Sequence, residues 1–496
     1  MNPPANPVAI PMGELGRRRV LFDLAVSMIF LVVIHGAHAI FPISLACASF
    51  LVGHAVKGMR AGPAVTWTVA VGLVWVKEYM HSAMTFGSLV GVPWGFLDRY
   101  TGMYPWRLSF NLVLLRLVSF NMDLHWAWLG ISSIDPNREK EGGDIARDEK
   151  RRSGELEPGR GACQHEDIYS YTSRVTAHRP PMDYSLWNCL AYTFYTPLYV
   201  AGPTITFNAF ISQMAAPQKT YSVGRLFTYV LRLGLALLLL EKGTHLFPVF
   251  AIARSDVFRN FSPSDLSAFV YIVLKLMWLK FLVIWRFFRL WALCDGVDPP
   301  ENMQRCMSNN YSIANFWKGW HCRQEEQMPL VFNRWLVRYI YIPLGGSKPG
   351  HWWNVFVVFI FVALWHDMEA KLVAWGLLNG IFFVIEAGVR TSYKRSHVMG
   401  RFRKKPYLNR MIQGLGAATY IMVLMMVNLI GYTVGIQGTT LLAEKIFLAS
   451  DGQLSLACSF AVLYGGSQIM FAIEEVRLAE RGGPNMGMDD SKAGKK

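Results

Sequence analysis

The sequence predicts an all-α fold, a polytopic helical bundle that crosses a membrane several times. Three observations support this prediction. Hydrophobic residues make up 52% of the 496 residues, and the mean hydropathy is +0.24. Apolar stretches of about 20 residues, the length that spans the hydrocarbon core of a bilayer, recur along the chain. A soluble protein of this length is less apolar, so we expect an integral membrane protein.

The apolar stretches divide into strong and weak candidates for membrane spans. The strong candidates lie at residues 20–40, 65–76, 269–293, 355–389 and 411–434. The weak candidates, which are short or mixed in composition, lie at 41–56, 112–128, 183–200, 226–240 and 454–473. Together they predict roughly 9 to 12 membrane segments, some of them re-entrant or interfacial.

We expect one membrane domain at residues 20–475, between an N-terminal tail at 1–19 and a C-terminal tail at 476–496. A polar loop at 136–182 interrupts it, because 136–160 contain seven acidic and seven basic residues and almost nothing apolar. The basic triplet Arg17, Arg18 and Arg19 and the apolar block after it together resemble a signal peptide. We favour a retained first span, because apolar sequence continues to Val56.

The net charge of +15 comes from 49 Lys and Arg residues against 34 Asp and Glu residues. Basic residues collect in loops that flank apolar blocks, most densely at 390–405, so we predict cytosolic loops beside anionic lipids and no nucleic-acid partner. The seven cysteines lack metal-ligand spacing. We therefore expect no disulfide framework, no metal and no bound cofactor.

An ionisable residue stands in the longest apolar block. The run VFVVFIFVALW at 355–365 leads directly to His366, followed by Asp367 and Glu369. Ionisable groups are costly within a bilayer and usually functional there. A structural histidine between packed helices explains the residue equally well, so at this point both interpretations stay open.

A second polar stretch, residues 315–346, alternates aromatic with basic side chains. On a helix, Arg334 and Arg338 point the same way, and Pro343 with Gly345-Gly346 ends the element. Such a face either anchors a helix at lipid headgroups or receives phosphates. Upstream, Pro197 and the Gly-Pro pair at 202–203 predict a bend in an aromatic segment, which is either an interfacial belt or the mouth of a lipid cavity.

These stretches resemble the membrane-bound O-acyltransferase (MBOAT) family, and within it the glycerol-uptake-protein (Gup-type) branch related to Hedgehog acyltransferase. The matching blocks are NFWKGWH at 315–321, FNRWLVRYIYIPLGG at 332–346, WHDME at 365–369, WG at 375–376 and PLYVAGP at 197–203 with TFN at 206–208. The resemblance covers residues 183–434 best. It implies an MBOAT-type helical bundle with a central tunnel, which acyl-CoA enters from the cytosolic side.

By the same resemblance, His366 matches the catalytic histidine and His321 the second signature polar position. Here Cys322 and nine further residues separate His321 from the FNRW block, where the branch has about two, so the sequence carries an insertion of roughly eight residues. The position of His321 relative to His366 depends on this insertion. We assign substrate binding to Trp317, Trp320, Asn333, Arg334, Trp335, Arg338, Trp365 and Asp367.

Acyl transfer from a thioester to a hydroxyl needs a base, a positioned donor and a dry pocket, and histidine suits the first role. We expect the apolar wall to keep His366 neutral, Trp353, Phe361 and Trp365 to line the tunnel, and the two arginines to hold the donor's phosphates. No serine or cysteine nucleophile motif occurs, which favours direct transfer.

The resemblance implies an enzyme with acyl-CoA as co-substrate and a lyso-GPI or lysophospholipid acceptor, acting in GPI-anchor lipid remodelling in the endoplasmic reticulum. Two alternatives stay open. One is a glycerol transporter or transport regulator, which the absence of a clear two-fold hydropathy repeat disfavours. The other is a protein palmitoyltransferase of the Hedgehog-acyltransferase kind.

Overall fold

The computed structural model describes residues 12–79, 85–130, 171–217, 221–301, 306–319, 332–346 and 351–480. Throughout these ranges the regular secondary structure is helical and no strand occurs, which confirms the predicted fold class. Most of the predicted polar loop, Trp320, His321 and the insertion at 322–331 lie outside the described residues.

Helices of the first half of the chain are α1 (Glu14–His35), α2 (Ile40–Val56), α3 (Gly62–Tyr79), α4 (Phe86–Leu89), α5 (Trp106–Leu129), α6 (Tyr171–Thr176), α7 (Leu186–Thr193), α8 (Thr196–Tyr199), α9 (Phe207–Ala215) and α10 (Val223–Leu246). Those of the second half are α11 (Val249–Ser255), α12 (Pro263–Cys294), α13 (Ile313–Gly319), α14 (Phe332–Leu336), α15 (Asn354–His366), α16 (Ala370–Arg395), α17 (His397–Arg403), α18 (Pro406–Tyr432), α19 (Gly435–Ala443) and α20 (Gly452–Glu480). π-Helical turns follow α14, at Val337–Tyr341, and α19, at Glu444–Leu448.

Six helical stretches in the described ranges are long and apolar enough to cross a membrane. They are Glu14–Val56, Val223–Leu246, Pro263–Cys294, Ala370–Arg395, Pro406–Tyr432 and Gly452–Arg477. The first contains both α1 and α2, and the remaining predicted segments form shorter or more polar helices. Helix α5, for example, has 24 residues but includes the buried Arg116 and Asp123.

Contacts between residues divide the chain into two compact units. The first unit comprises Met1–Leu233, Ile284–Asn302 and His321–Ser347, and the second comprises Gly234–Val283, Met303–Trp320 and Lys348–Lys496. Helices α10 and α12 contribute residues to both. The division into a tail, one membrane domain and a second tail stays a prediction, although helix α1 already begins at Glu14 and α20 continues to Glu480.

In the first unit, a buried arginine stabilises a broken segment of chain. Helix α7 ends at Thr193, and Pro197 in the short α8 has no N–H to donate, so the Thr193 carbonyl at this break lacks a helical partner. The fully buried Arg116 of α5 donates to the carbonyls of Thr193, at 2.7 Å, and Leu198, at 2.5 Å. Backbone groups must be satisfied internally at membrane depth, so Arg116 makes the predicted bend possible.

In the second unit, α15 and α16 form an antiparallel hairpin around the turn at 367–369. Their close approach depends on Gly376, because a Cβ atom there would lie 2.8 Å from the carbonyl oxygen of Phe359 and 2.9 Å from Cβ of Ala363. Small residues permit such contacts between membrane helices. Helix α16 also packs against α18, and α18 against α20, so the hairpin is held within a larger helical layer.

Candidate active site

His366 is the last residue of α15, where the apolar run ends. The next residue, Asp367, leaves the helix in an extended conformation, and Glu369 precedes the first turn of α16. A carboxylate at this position interacts favourably with the N-terminal end of a helix. The polar residues after His366 therefore form the turn of the hairpin. His366 is the residue at which the apolar run of α15 ends.

Three aromatic side chains surround the His366 ring. The ring centroids lie 4.6 Å from Trp365, 5.9 Å from Trp375 and 5.7 Å from Tyr432. Trp375 and Tyr432 are nearly perpendicular to the imidazole, in the edge-to-face arrangement that aromatic pairs favour. His366 is nevertheless exposed, so a substrate can reach the ring.

The wall behind His366 is built from α16 and α18. Trp375 of α16 packs on Tyr432 of α18 at a centroid distance of 5.2 Å. Gly431 makes this contact possible, because a Cβ atom there would lie 2.8 Å from Cγ of Trp375. The Trp375 indole N–H also donates to Oδ1 of the buried Asn428 at 3.4 Å. Packing and a hydrogen bond together fix the indole ring next to His366.

Trp317, which the sequence assigned to substrate binding, joins this cluster from α13. Its ring centroid lies 5.6 Å from Trp375 and 4.9 Å from Phe359 of α15. Its indole N–H donates to Oδ1 of the buried Asn379 at 3.3 Å. We call Trp317, Trp365, His366, Trp375 and Tyr432 the aromatic cluster.

A second group of predicted residues lies in the first unit, on α14 and the π-helical turn after it. Trp335 is completely buried, donates its indole N–H to the carbonyl of Leu115 at 3.1 Å, and packs on Tyr339. Asn333 and Arg334 are half-buried. The element ends after Tyr341 in a turn that contains Pro343 and both glycines, as the sequence predicts.

Arg338 is buried and pairs with a carboxylate on α5. Its Nη2 lies 2.8 Å and its Nε 3.3 Å from Oδ1 of the fully buried Asp123. The Tyr339 hydroxyl donates to the same oxygen at 3.0 Å. The guanidinium also stacks over Trp126 at 4.9 Å. Any phosphate at Arg338 would compete with Asp123, whereas Arg334 on the same element is more accessible.

The structure thus brings Trp317, Trp365 and Asp367 together with His366 in the second unit. It places Asn333, Arg334, Trp335 and Arg338 together in the first unit, and Trp320 and His321 lie outside the described residues. Trp353, expected to line the tunnel, lies at the opposite end of α15, about 20 Å from His366 along the helix.

Sequence reasoning missed Tyr432 and the three buried polar residues Asp123, Asn379 and Asn428. The three polar residues could have been identified from the sequence, because each interrupts an apolar segment, where polar groups need a specific partner. Tyr432 could not, since a tyrosine at the end of an apolar helix is common at membrane interfaces. Only the packing of α18 against α16 makes it a neighbour of His366.

A separate cavity of about 590 Å³ lies in the second unit, between α12, α18 and α20, and three methionines, Met422, Met425 and Met426, line its α18 side. None of the residues of the aromatic cluster lines it. Among the described residues, no group of three or more His, Cys, Asp or Glu side chains is arranged to hold a metal ion.

These features define a class, a multi-pass membrane protein with a reachable histidine held by aromatic side chains at the end of an apolar helix. The model of the membrane-bound O-acyltransferase family matches residues 64–430. The chain belongs to this family. The predicted family is confirmed, and the protein is an O-acyltransferase.

Curated relatives agree with this assignment. The chain is 38% identical to membrane-bound O-acyltransferase gup1 of Schizosaccharomyces pombe, over 91% of this chain and 72% of that protein. It is 34% identical to membrane-bound O-acyltransferase GUP1 of Saccharomyces cerevisiae, over 92% and 76% respectively. A more distant similarity, 28% identity over 52% of each chain, links it to the protein-cysteine N-palmitoyltransferase HHAT of Mus musculus.

Proposed function

We propose that the protein transfers a long fatty acyl chain from acyl-CoA to the hydroxyl group of a lipid, with His366 as the general base. The observation that carries this proposal is the placement of His366, which is exposed to substrate yet held on three sides by Trp365, Trp375 and Tyr432. A base must be both reachable and fixed in orientation to act in the transition state.

In this reaction the imidazole of His366 takes the proton of the acceptor hydroxyl as its oxygen attacks the thioester carbonyl. The new ester C–O bond forms, the C–S bond breaks, and the imidazolium returns the proton to the departing sulfur of CoA. The aromatic cluster limits the access of water, which would otherwise hydrolyse the thioester. His321 is proposed to act with His366, as the family resemblance implies.

For the donor, we assign contacts with the phosphates of CoA to Arg334, because it is half-buried and lies on an aromatic, basic element. Bidentate contacts with phosphates suit a guanidinium group. We retain Arg338 and Asn333 as substrate-binding residues in the proposal. Asp123 neutralises Arg338, so its contribution is expected to be smaller than that of Arg334.

For the acceptor, we propose a lysophospholipid-type molecule, most specifically a lyso-GPI, so that the reaction remodels the lipid of GPI anchors in the endoplasmic reticulum. The support is the similarity to the Gup-named relatives over more than nine-tenths of this chain. Two alternatives remain as outcomes of the test, glycerol transport or its regulation, and palmitoylation of a protein. The HHAT relative motivates the second.

The test uses the purified full-length chain in lipid nanodiscs with radiolabelled long-chain acyl-CoA and lysophosphatidylinositol. We expect transfer by the wild type and a loss of at least about 100-fold in His366→Ala, because general-base catalysis contributes about that factor or more. The matched control is His397→Ala, which removes an exposed histidine on α17 and is expected to retain wild-type activity.

Equal transfer by wild type and His366→Ala would refute the assignment of the base. Transfer to an N-terminal cysteine peptide but to no lipid would establish the palmitoyltransferase alternative. Uptake of labelled glycerol into proteoliposomes, with no acyl transfer to any acceptor, would establish the transport alternative.

A further inference from the structure

Glu386 is a buried carboxylate in the membrane-spanning helix α16, and the proposed reaction does not use it. The residue is 2% exposed and follows the apolar run 381–385. A charged side chain in such surroundings is costly unless it is paired and hydrogen-bonded. Its partners therefore indicate what it does.

The hydrogen-bond donors to Glu386 are Ser312, the residue before α13, and the first two residues of α13. The Ser312 hydroxyl donates to Oε1 at 2.5 Å, and the backbone N–H groups of Ile313 and Ala314 donate to Oε2 at 2.6 and 3.3 Å. These N–H groups have no acceptor within their own helix, and a negative charge is stabilising at a helix N-terminus. Glu386 thus caps α13 from a different helix. Arg390, one turn along α16, pairs with Oε1 at 2.7 Å.

A second contact fixes the other end of α13. Trp317 donates to Asn379, which lies on α16 seven residues before Glu386, or about 10 Å along the helix axis. Helix α13 has only seven residues, too few to be stable without tertiary contacts. Helix α16 therefore holds α13 at its start, through Glu386, and near its end, through Asn379.

We propose that Glu386 is a positioning residue for acyl transfer: by capping α13 it holds Trp317 against Trp375, which in turn holds the ring of His366. The rings in this series of contacts pack directly on one another, with centroid distances of 5.6 Å from Trp317 to Trp375 and 5.9 Å from Trp375 to His366. The inference rests on the proposed role of His366 as the base. Glu386 touches neither substrate nor His366, so it acts only through α13.

The first test is kinetic and uses Glu386→Gln, which keeps the shape of the side chain and removes its charge. Hydrogen bonds to a carboxylate are about twice as strong as those to a neutral acceptor, so α13 should lose its fixed position. We expect kcat for acyl transfer to fall about tenfold or more, since small misplacements of catalytic groups have effects of that size. We expect KM for acyl-CoA to change less than twofold.

The matched control is Arg390→Gln. It removes the Arg390 ion pair but leaves every hydrogen bond between Glu386 and α13. Water can solvate the Arg390 side chain, which is 54% exposed, and the buried Glu386 carboxylate keeps its hydrogen bonds from Ser312, Ile313 and Ala314. Because hydrogen bonds to a charged group are the stronger kind, kcat is expected to stay within about twofold of wild type. A tenfold loss of kcat in this control would mean that the charge pair, rather than the cap on α13, is what matters, and would overturn the proposal.

The second test does not depend on activity. Hydrogen exchange of residues 312–319 is measured by mass spectrometry in nanodiscs, and Glu386→Gln is expected to exchange faster there, with α18 and α20 unchanged. Unchanged exchange in 312–319, or faster exchange in every helix, would overturn the proposal. If the wild type transfers no acyl group, the proposed function fails, whereas the exchange result still decides whether Glu386 positions α13.

If Glu386→Gln does not fold, the variant Ser312→Ala tests the proposal instead. The measurements are again kcat for acyl transfer and hydrogen exchange of residues 312–319. The substitution removes a single donor to the carboxylate and leaves no unpaired charge. Faster exchange in 312–319 together with a two- to fivefold lower kcat would support the proposal. Wild-type values for both would refute it.

Discussion

At the scale of residues, the membrane environment explains why three buried charged side chains among the described residues have specific partners. Arg116 donates to two carbonyls at a chain break, Glu386 accepts from the start of α13, and Asp123 pairs with Arg338. Without water, an unpaired charge is strongly destabilising. Two of these pairings hold short or broken helices in place, so the polar residues contribute to the architecture as well as to the candidate active site.

The Asp123–Arg338 pair gives the prediction at this scale. Asp123→Asn leaves Arg338 buried without its counter-charge, so we expect a loss of about 3 kcal/mol or more in the free energy of unfolding. In the protein that remains folded we expect that KM for acyl-CoA does not rise, because Arg338 keeps its charge and is no longer paired with Asp123. The measurements are thermal unfolding in detergent and steady-state kinetics.

Arg334→Gln is the comparison for Asp123→Asn. Arg334 is half-buried and is assigned to the CoA phosphates. The Arg334→Gln variant is therefore expected to raise KM for acyl-CoA and to lose less stability than Asp123→Asn. Should Asp123→Asn raise KM without a loss of stability, the interpretation of the pair as structural would be wrong.

At the scale of elements, the α15–α16 hairpin carries the candidate site. Its turn places His366 and Asp367 at one end of α15, and its interface places Trp375 behind the imidazole. The two helices approach each other at Gly376. Since interiors are closely packed, a methyl group at such a contact moves the helices apart.

Gly376→Ala tests this dependence. The new Cβ atom would lie under 3 Å from the backbone of α15, and we expect a loss of about 1–3 kcal/mol in stability with a decrease in acyl transfer. Gly388→Ala, on the same helix, meets nothing within 4 Å. It is expected to stabilise the helix slightly, by up to about 1 kcal/mol, and to leave activity unchanged. Equal unfolding midpoints for the two variants would contradict this account of the hairpin.

At the scale of the whole molecule, the distribution of charge predicts the orientation in the membrane. Helix α16 has 26 residues, about 39 Å in length, and ends in the basic segment that continues through α17 to Lys405. The positive-inside rule predicts that this segment lies in the cytosol. Lys371, at the start of α16, is then expected on the opposite side.

Single cysteines test this orientation in a background from which the native cysteines have been removed. A cysteine at the exposed position 397 is expected to react with an impermeant maleimide from the cytosolic side. One at position 371, where the lysine side chain is 43% exposed, is expected to react from the other side only. Labelling of both positions from one side would show that α16 does not cross the bilayer.

Much of the fold was predictable from local composition. The long apolar helices, the bend near Pro197 and the end of the element before Gly345-Gly346 follow from hydropathy and from the backbone limits of proline and glycine. The count of spans was less predictable, because short or polar helices such as α5 and α7–α9 gain stability from tertiary contacts. Hydropathy depends on local composition and carries no information about those contacts.

The sequence by itself determined the family, the membrane setting and the candidate base, because an apolar run that ends in Trp365-His366-Asp367 is a local pattern, and the matching blocks are local as well. Only the tertiary structure decided which side chains surround His366 and that Asp123 neutralises Arg338. Tyr432, Trp317 and Trp375 come from three helices far apart in the chain. Their contacts depend on the packing of α13, α16 and α18, and such packing leaves no periodic signal in sequence.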